Sequence, residues 1–247
     1  MKIAAFLGLL LVWLALPQRT QAQTLAADSS QLRLAMQMAT QRYAAATATE
    51  SRLLSGTDYI NRTKPYVQGN PFFPSPEVKM GSLHYDGFYF EAVPMRYDCQ
   101  HDQVVVQPPS RAIALQLVPE KVAAFTLDGH HFVRLVTDSL TNPQVRTGFY
   151  DLLADGPARL LARHTKRSYE QPTQQGMEGS FVETVRFFVQ QHDTYQEVAK
   201  LKDVTALFPA HKADLQRFAR SQHLSFKEGY RERALTTLLT HYNSLAY

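Results

Sequence analysis

Three Asp-Gly dipeptides constrain the fold of this chain more than any other feature of its sequence. Asp86-Gly87, Asp128-Gly129 and Asp155-Gly156 each lie between two stretches in which apolar and polar residues alternate. Asp-Gly supplies the positive φ angles that a two-residue hairpin turn requires, and the alternation is typical of strands with one buried face. The sequence therefore predicts three β-hairpins, formed by residues 79–85 with 88–97, 122–127 with 131–136, and 147–153 with 158–166.

Further alternating stretches between residues 78 and 200 bring the predicted short strands to about nine or ten. Strands of this number, joined by tight turns, are typical of an antiparallel sandwich or a partly closed barrel. The polar segment Ser168–Gly179 is predicted to be an exposed loop, and the Pro- and Gly-rich segment 56–77 an extended connection without regular structure. The single cysteine, Cys99, excludes an intrachain disulfide and is predicted to be a small buried apolar residue.

Helical periodicity replaces strand alternation at both ends of this region. An Ala-rich stretch predicts an N-terminal helix over about residues 30–47, although the alternation over Leu32–Met38 also fits a strand. Apolar residues at three- and four-residue steps predict a C-terminal helical tail over about residues 204–245. The predicted fold class is therefore α+β, predominantly antiparallel β, with helices that cover one end or one face of the sheet.

The first 22 residues have the layout of a cleavable secretory signal peptide. Lys2 precedes an apolar run over Ile3–Leu16, and small residues occupy the first and third positions before a predicted cleavage after Ala22. The run is shorter than the ~20 residues that a membrane-spanning helix needs, so no integral membrane span is expected after cleavage. Because the one cysteine, Cys99, lies far from the run, no lipid anchor is expected. Residues 23–247 are predicted to form a single β-rich domain that is exported, periplasmic or extracellular, and soluble.

The charge of the mature chain argues against nucleic acid as a partner. Removing Lys2 and Arg19 from the 26 Lys and Arg leaves 24 against 22 acidic residues, hence a net charge of +2. Such a small excess gives little general attraction to a polyanion.

No familiar catalytic or cofactor motif is found in the sequence. It contains no Gly-x-Ser-x-Gly elbow, no phosphate-binding glycine loop and no dinucleotide-binding fingerprint. Adjacent side chains on a strand point to opposite faces, so His130 and His131 are not expected to bind one metal ion together and are interpreted as turn and surface residues. We therefore expect no cofactor and assign no catalytic residue.

Asp98 and Asp102 are weak candidates for a cation site. They lie across a predicted turn, where two carboxylates could supply the oxygen ligands that calcium prefers. Asp is also a common turn former because its side chain bonds to nearby backbone amides, so the purely structural interpretation stays open.

Several short motifs resemble those of a family of uncharacterised exported bacterial β-rich proteins. The resemblance covers about residues 53–244 and implies a β-rich envelope domain with a helical tail, but no activity, cofactor or catalytic residue. The motifs are Leu54 and Gly56 before Tyr59; Gly81 with Tyr85-Asp86-Gly87; Tyr97-Asp98 with Asp102-Gln103-Val104-Val105-Val106; Phe132-Val133-Arg134-Leu135; Gly148-Phe149-Tyr150; and Leu207-Phe208-Pro209.

Two functions from different classes are consistent with these observations. The first is a non-enzymatic protein of the cell envelope or periplasm that binds a partner protein or a small ligand. The second is a hydrolase that acts on an envelope polymer through acidic residues the sequence does not identify. A pair of buried acids with raised pKa values in a cleft would favour the hydrolase.

Overall fold

The computed structural model describes residues 55–137 and 142–245, together with Arg33, Ala35, Met36, Met38 and Leu53. The predicted signal peptide (1–22), its cleavage site at Ala22 and most of the predicted N-terminal helix (30–47) lie outside the described residues. The four residues described within that stretch are helical. The chain divides into two compact units, residues 1–48 and 49–247, and every element named below belongs to the second.

The described part of the second unit consists of short and long strands followed by helices. The strands are β1 Thr57–Asp58, β2 Val67–Gln68, β3 Phe72–Phe73, β4 Lys79–Tyr85, β5 Phe88–Asp98, β6 Gln103–Val106, β7 Leu115–Gln116, β8 Val122–Leu127, β9 His130–Leu135, β10 Gly148–Ala154, β11 Arg159–Thr173, β12 Gly176–Gln191 and β13 Thr194–Val198. The helices are α1 Leu201–Leu207, α2 Lys212–Ser221 and α3 Arg231–Leu245, with 3-10 turns at Pro119–Lys121 and Pro209–His211.

All 13 strands belong to one sheet, which does not close. Its order is β1-β7-β6-β5-β4-β8-β9-β10-β11-β12-β13, with β3 also paired to β5 and β2 to β12. The β2–β12 pair is parallel and the other pairs are antiparallel. The mainly antiparallel fold and the C-terminal helical tail are thus confirmed, but a single open sheet replaces the predicted sandwich or partly closed barrel.

The sheet has more strands than predicted because the Pro- and Gly-rich connection contributes three. β1, β2 and β3 are only two residues long, so no alternation could reveal them. They form because other strands offer backbone partners: β1 pairs with β7, β2 with β12 and β3 with β5. Tertiary pairing therefore overrides the Pro and Gly signals of this segment.

The Asp-Gly turns behave as predicted at two of their three positions. Asp86 and Gly87 have φ angles of 52° and 81°, and Asp128 and Gly129 have 52° and 83°, which is the geometry of a two-residue hairpin turn. The third hairpin joins β10 to β11 through the longer connection 155–158 instead, and of its Asp-Gly pair only Gly156 has a positive φ.

The segment Ser168–Gly179 is not a loop, which corrects the sequence prediction. It forms the outer part of a long hairpin in which β11 and β12 pair continuously from Arg159 opposite Gln190 to Thr173 opposite Gly176. Its side chains are largely exposed, so polar residues occupy both faces. Without an apolar face there is no alternation from which a strand could be predicted.

The buried hydrophobic residues that the structure describes form four clusters, and two of them are large. The aromatic core packs side chains of β3, β5, β8, β9 and β10, and in it Phe125 stacks on Phe132 with ring centroids 4.7 Å apart. The helical core packs α1, α2 and α3 against the β10–β13 part of the sheet, with Leu160 and Phe187 beneath Leu235 and Leu238. Cys99 lies in the aromatic core, as predicted, and burial raises the pKa of its thiol, so it is not an activated nucleophile.

A buried asparagine fixes α3 to the β10–β11 connection. The Asn243 side-chain oxygen accepts a hydrogen bond from Ala158 N (3.0 Å), and its nitrogen donates to the carbonyl oxygens of Ala158 (2.9 Å) and Asp155 (3.2 Å). Gly156 leaves the space that this side chain needs, because a Cβ there would lie 2.7 Å from the Asn243 amide.

Replacing Asn243 with Ala is expected to lower the free energy of unfolding by about 2–3 kcal/mol, because buried backbone groups of Ala158 would lose their partners. Urea denaturation followed by circular dichroism measures the loss. Thr240→Ala, on the exposed side of the same helix, is the matched control and should change stability by less than about 0.5 kcal/mol. Equal effects of the two substitutions would contradict the assigned role of Asn243.

Candidate functional site

The long β11–β12 hairpin presents one face rich in arginine. Alternation along β11 places Arg163, Thr165 and Arg167 on the same side of the sheet. Arg186 on β12 lies directly opposite Arg163, and Thr184 lies opposite Thr165. Two like charges in direct cross-strand register destabilise a sheet unless other groups compensate them. This face therefore requires partners for its guanidinium groups.

A cavity of about 390 Å³ opens on this face. We call it the basic cleft, because among its described lining residues Asp102 is the one acidic side chain. The arginines that line it are Arg146, Arg163, Arg167 and Arg186. Arg146 comes from the segment before β10, so the cleft combines residues that are distant in sequence.

The side chain of Arg163 lines the basic cleft and is held in place by several hydrogen bonds. Its Nη1 donates to the hydroxyl of Tyr150 (3.1 Å) and to the carbonyl oxygen of Arg146 (3.3 Å), and its Nη2 donates to Oδ2 of Asp102 (3.4 Å). The guanidinium also lies 5.3 Å from the centre of the Tyr150 ring. With its side chain only 17% exposed, Arg163 is held in one orientation while part of it still faces the cavity.

Asp102 acts as an anchor for Arg163. Its Oδ1 accepts hydrogen bonds from the Tyr97 hydroxyl (2.6 Å) and from Phe149 N (3.3 Å). Burial raises the pKa of Tyr97 well above its ordinary value, so this hydroxyl remains a donor. Gly148 allows the arrangement, because a Cβ at this position would overlap Oδ2 of Asp102.

The positive charge of Arg186 is balanced by the carboxylate of Glu197 on β13. Its Nε donates to Oε1 of Glu197 (2.9 Å), and its Nη2 bonds to Oε2 of the same residue. Arg163 and Arg186 can therefore face each other because each has its own carboxylate. Lys166, whose side chain projects to the other face, donates from Nζ to the carbonyl oxygen of Phe72 at 2.5 Å.

Two arginines of the basic cleft lack this compensation. The exposed side chains of Arg146 and Arg167 make no hydrogen bond or ion pair with any described residue. Asp102 and Glu197 balance Arg163 and Arg186, so the four arginines of the cleft leave two positive charges unbalanced. Both of these charges are on exposed side chains that can reach a ligand.

A polar cluster lies on the opposite face of β11. We define it as His130, Asp151, His164 and Glu183. Nδ1 of His130 is 2.5 Å from Oδ2 of Asp151, and Nδ1 of His164 is 3.3 Å from Oε1 of Glu183. Nε2 of His164 is 3.8 Å from Asp151, an ion-pair distance that is too long for a hydrogen bond. Asp151 is 1% exposed and His164 5%, so these two members are buried, whereas His130 is partly exposed and Glu183 is exposed. The rings of His130 and His164 both lie beside the ring of Phe73.

The cluster favours charged side chains in spite of the burial of Asp151 and His164. Burial alone would lower the pKa of His164, but the carboxylates of Asp151 and Glu183 outweigh it and raise the pKa to about 9. The pKa of Asp151 shifts in the opposite direction. Burial alone would raise it, but the interactions with His130 and His164 outweigh burial and lower it. A hydrogen bond to Asp151 likewise raises the pKa of His130. The cluster is therefore a set of ion pairs centred on the buried Asp151 and His164, with His130 and Glu183 reaching the surface.

The two acids that the sequence suggested as cation ligands have different hydrogen-bond partners in the structure. Asp98 is buried and accepts hydrogen bonds from the Tyr59 hydroxyl (2.8 Å), Gln100 N (2.8 Å) and His101 N (3.1 Å). Asp102 points into the basic cleft and is bonded to Arg163. Within the described residues, no group of three or more His, Cys, Asp or Glu side chains is placed to hold a metal ion. The cation site stays a prediction.

The arginines of the basic cleft were not singled out from the sequence. A signal existed, because Arg163 and Thr165 alternate near the end of the strand predicted over residues 158–166, and Arg167 continues the alternation directly after it. Arg146 and Asp102 could be added only from the fold, since the contacts that bring them to Arg163 on β11 span 17 and 61 positions of the chain.

Comparisons with protein-family models, with curated proteins and with solved structures give no match. The resemblance to exported β-rich proteins therefore stays a prediction, and the site is interpreted from its own geometry. Within the described residues, no helix is both long and apolar enough to cross a membrane.

Proposed function

We propose that this chain is an exported, non-enzymatic binding protein of the cell envelope and that its basic cleft binds an anionic ligand. The observation that carries the proposal is the pair of arginines without an acidic partner, Arg146 and Arg167, beside a cavity of about 390 Å³. Two uncompensated cations repel each other and attract anions, and a bound anion would relieve that repulsion.

The chemistry of the cleft favours a carboxylate or phosphate group. A guanidinium presents parallel N–H donors that match two oxygens of such a group, and bonds of this kind are stronger than those between neutral partners. Arg163 supplies a fixed positive surface, because Asp102 and Tyr150 already orient it. Arg146 and Arg167 are free to complete the coordination of a ligand.

Export is supported by the sequence of the leader, residues 1–22 with cleavage after Ala22, and by the resemblance to exported proteins. Location in the periplasm or outside the cell is part of the proposal. No described feature favours nucleic acid over a small anion, and we propose a small ligand or a partner protein of the envelope rather than a polynucleotide.

The hydrolase alternative has less support. A general acid in a glycosidase needs a raised pKa, whereas hydrogen bonds to the histidines lower the pKa values of Asp151 and Glu183. In the basic cleft, Asp102 is engaged by Arg163 and Tyr97, so it is a positioning group and not a free acid.

Replacing both Arg146 and Arg167 with Gln is expected to weaken binding of inorganic phosphate and of glucuronate at least ten-fold, since each lost charge-assisted bond costs about 1.5–3 kcal/mol. Isothermal titration calorimetry of the exported protein at low ionic strength measures the two affinities. Binding should also weaken as salt is added, because exposed charges are screened.

The control for this experiment is Arg111→Gln, which removes an exposed arginine outside the cleft. It should leave both affinities within about two-fold of the unmodified protein, as expected for a surface change away from the site. If neither anion binds, or if Arg111→Gln weakens binding as much as the double substitution, the basic cleft is not an anion site.

A further inference from the structure

A second polar cavity adjoins the basic cleft farther along the β11–β12 hairpin. It has a volume of about 360 Å³, and its lining includes Gln68, Gln171 and Glu178. Tyr169 lines both this cavity and the basic cleft. Strand alternation places Arg167, Tyr169 and Gln171 on the same face of β11. The two cavities are thus consecutive parts of one surface.

Strand β2 gives the second cavity a fixed wall. Val67 pairs with Gly179 and Gln68 with Ser180, in parallel register along β12. Gly179 permits this close approach, because a Cβ there would lie 2.9 Å from both the Tyr169 carbonyl oxygen and Cγ2 of Val67.

The segment before β2 is also tied to the hairpin. Lys64 Nζ and the Tyr66 hydroxyl both donate to Oε2 of Glu170, at 2.8 Å and 2.6 Å. Gln68 is therefore held at the rim of the second cavity by backbone pairing and by two side-chain contacts. At Gly179 and Ser180, strands β11, β12 and β2 therefore lie side by side.

The two cavities differ in charge. The described lining of the second contains amide, hydroxyl and carboxylate groups and no Lys or Arg. Between the cavities the ring of Tyr169 is 58% exposed. Amides and carboxylates are hydrogen-bond partners for hydroxyl groups, while the apolar face of a ring packs against C–H groups. Along the hairpin, arginines are thus followed by an aromatic ring and then by uncharged amides and by carboxylates. This order suits a ligand that has an anionic group at one end and uncharged, hydroxyl-rich units beyond it.

We propose that the ligand of the basic cleft is an acidic oligosaccharide. Its carboxylate or phosphate lies among Arg146, Arg163 and Arg167, one sugar ring packs on Tyr169, and a neutral sugar occupies the second cavity. This inference rests on the proposed function, since it specifies the ligand of the same cleft. A polymer charged on every sugar fits less well, because the carboxylate of Glu178 would repel a second negative charge at the second cavity.

The test is a panel of oligosaccharides that carry one uronate, sialate or sugar phosphate, each compared with its neutral counterpart and with the acidic monosaccharide alone. Affinities for the exported protein are measured by calorimetry. We expect at least one acidic oligosaccharide to bind ten-fold or more tightly than its acidic monosaccharide, and its neutral counterpart to bind more weakly than either.

Variants of Tyr169 identify the stacking contact. Tyr169→Ala should weaken the oligosaccharide about ten-fold and weaken inorganic phosphate, which has no ring to pack on Tyr169, much less, whereas Tyr169→Phe, which keeps the ring, should stay within about two-fold. Tyr230→Ala is the control, because Tyr230 is another exposed tyrosine that lies outside both cavities.

The possible failures are distinguishable. If no acidic oligosaccharide exceeds its monosaccharide, or if Tyr169→Ala leaves oligosaccharide affinity unchanged, the saccharide proposal is overturned. Anion binding would still stand in that case, provided that phosphate or glucuronate affinity depends on Arg146 and Arg167. Loss of that dependence as well would overturn both proposals.

Discussion

Replacing Asp151 with Ala is expected to lower the free energy of unfolding by about 3–5 kcal/mol at pH 6, because it removes the carboxylate that His130 and His164 share. The two imidazolium groups would then be close together inside the protein, and of the cluster only Glu183 would remain to balance them. Guanidinium denaturation monitored by fluorescence and by circular dichroism measures this loss.

The same cluster sets a pH window for stability. The folded pKa of His164 is about 9 and that of His130 is also raised, so their contribution is complete below the unfolded value of about 6.5 and is lost as the pH rises toward 9. The pKa of Asp151 is lowered, so its contribution is present above the unfolded value of about 4 and is lost as the pH falls below it. The cluster therefore stabilises the fold most between about pH 4 and 6.5.

Between pH 6.5 and 9 we expect the unmodified protein to lose about 3 kcal/mol through this cluster. Asp151→Ala should make this part of the profile shallower, because His130 and His164 would lose the carboxylate that they share and only Glu183 would still raise the pKa of His164. Asp128→Asn is the matched control: Asp128 lies in an exposed turn with a φ of 52°, a conformation that Asn also adopts, and its substitution should leave the profile unchanged. A parallel pH dependence in the Asp151→Ala variant would contradict the assigned role of the cluster.

The parts of the fold that the sequence predicted are those in which local chemistry and tertiary structure agree. At Asp86-Gly87 and Asp128-Gly129 the residues that favour positive φ coincide with the ends of half-buried strands, so turn and strand signals support each other. The C-terminal helices were predicted for the same reason, since their apolar faces cover the sheet. The leader lies outside the described residues, and export remains a prediction.

The parts that were missed depend on partners distant in sequence. The outer β11–β12 hairpin has no apolar face, and β2 and β3 are too short to show a period. His130 was interpreted as an ordinary turn or surface residue, yet it bonds to Asp151, 21 positions away. Pairings of this kind become visible only when the sheet is assembled.

The candidate site shows the same division. The sequence suggested Asp102 as a candidate cation ligand. The structure places the guanidinium of Arg163, 61 positions later in the chain, beside its carboxylate. The strand alternation of Arg163 and Arg167 is readable in the sequence. Their association with Arg146 and with the Tyr150 hydroxyl is a consequence of the strand order β10-β11-β12.

Gly148→Ala is expected to destabilise the protein by about 3–5 kcal/mol, through backbone strain and through overpacking. Gly148 has a φ of 152°, which L-residues rarely adopt, and the new Cβ would overlap Oδ2 of Asp102. Because a loss of 1 kcal/mol lowers the melting temperature of a protein of this size by about 2–4 °C, the expected decrease is about 6–20 °C. Thermal unfolding followed by calorimetry measures it.

Two comparisons separate the causes of this decrease. Gly87→Ala introduces the same methyl group at a positive φ with no atom within 4 Å of the new Cβ, so it reports the backbone cost alone, about 1–2 kcal/mol. Asp102→Ala removes the obstructing carboxylate, and in that background Gly148→Ala should cost clearly less than in the unmodified protein, since only the strain of its φ of 152° and the contact with Arg163 remain. If Gly148→Ala is equally costly with and without Asp102, the carboxylate is not what excludes a side chain at position 148. If the stability losses of Gly148→Ala and Asp102→Ala are coupled as expected, Gly148 is the residue that allows Asp102 to anchor Arg163. Weaker phosphate binding by the Gly148→Ala variant would show that this anchor also matters for the basic cleft.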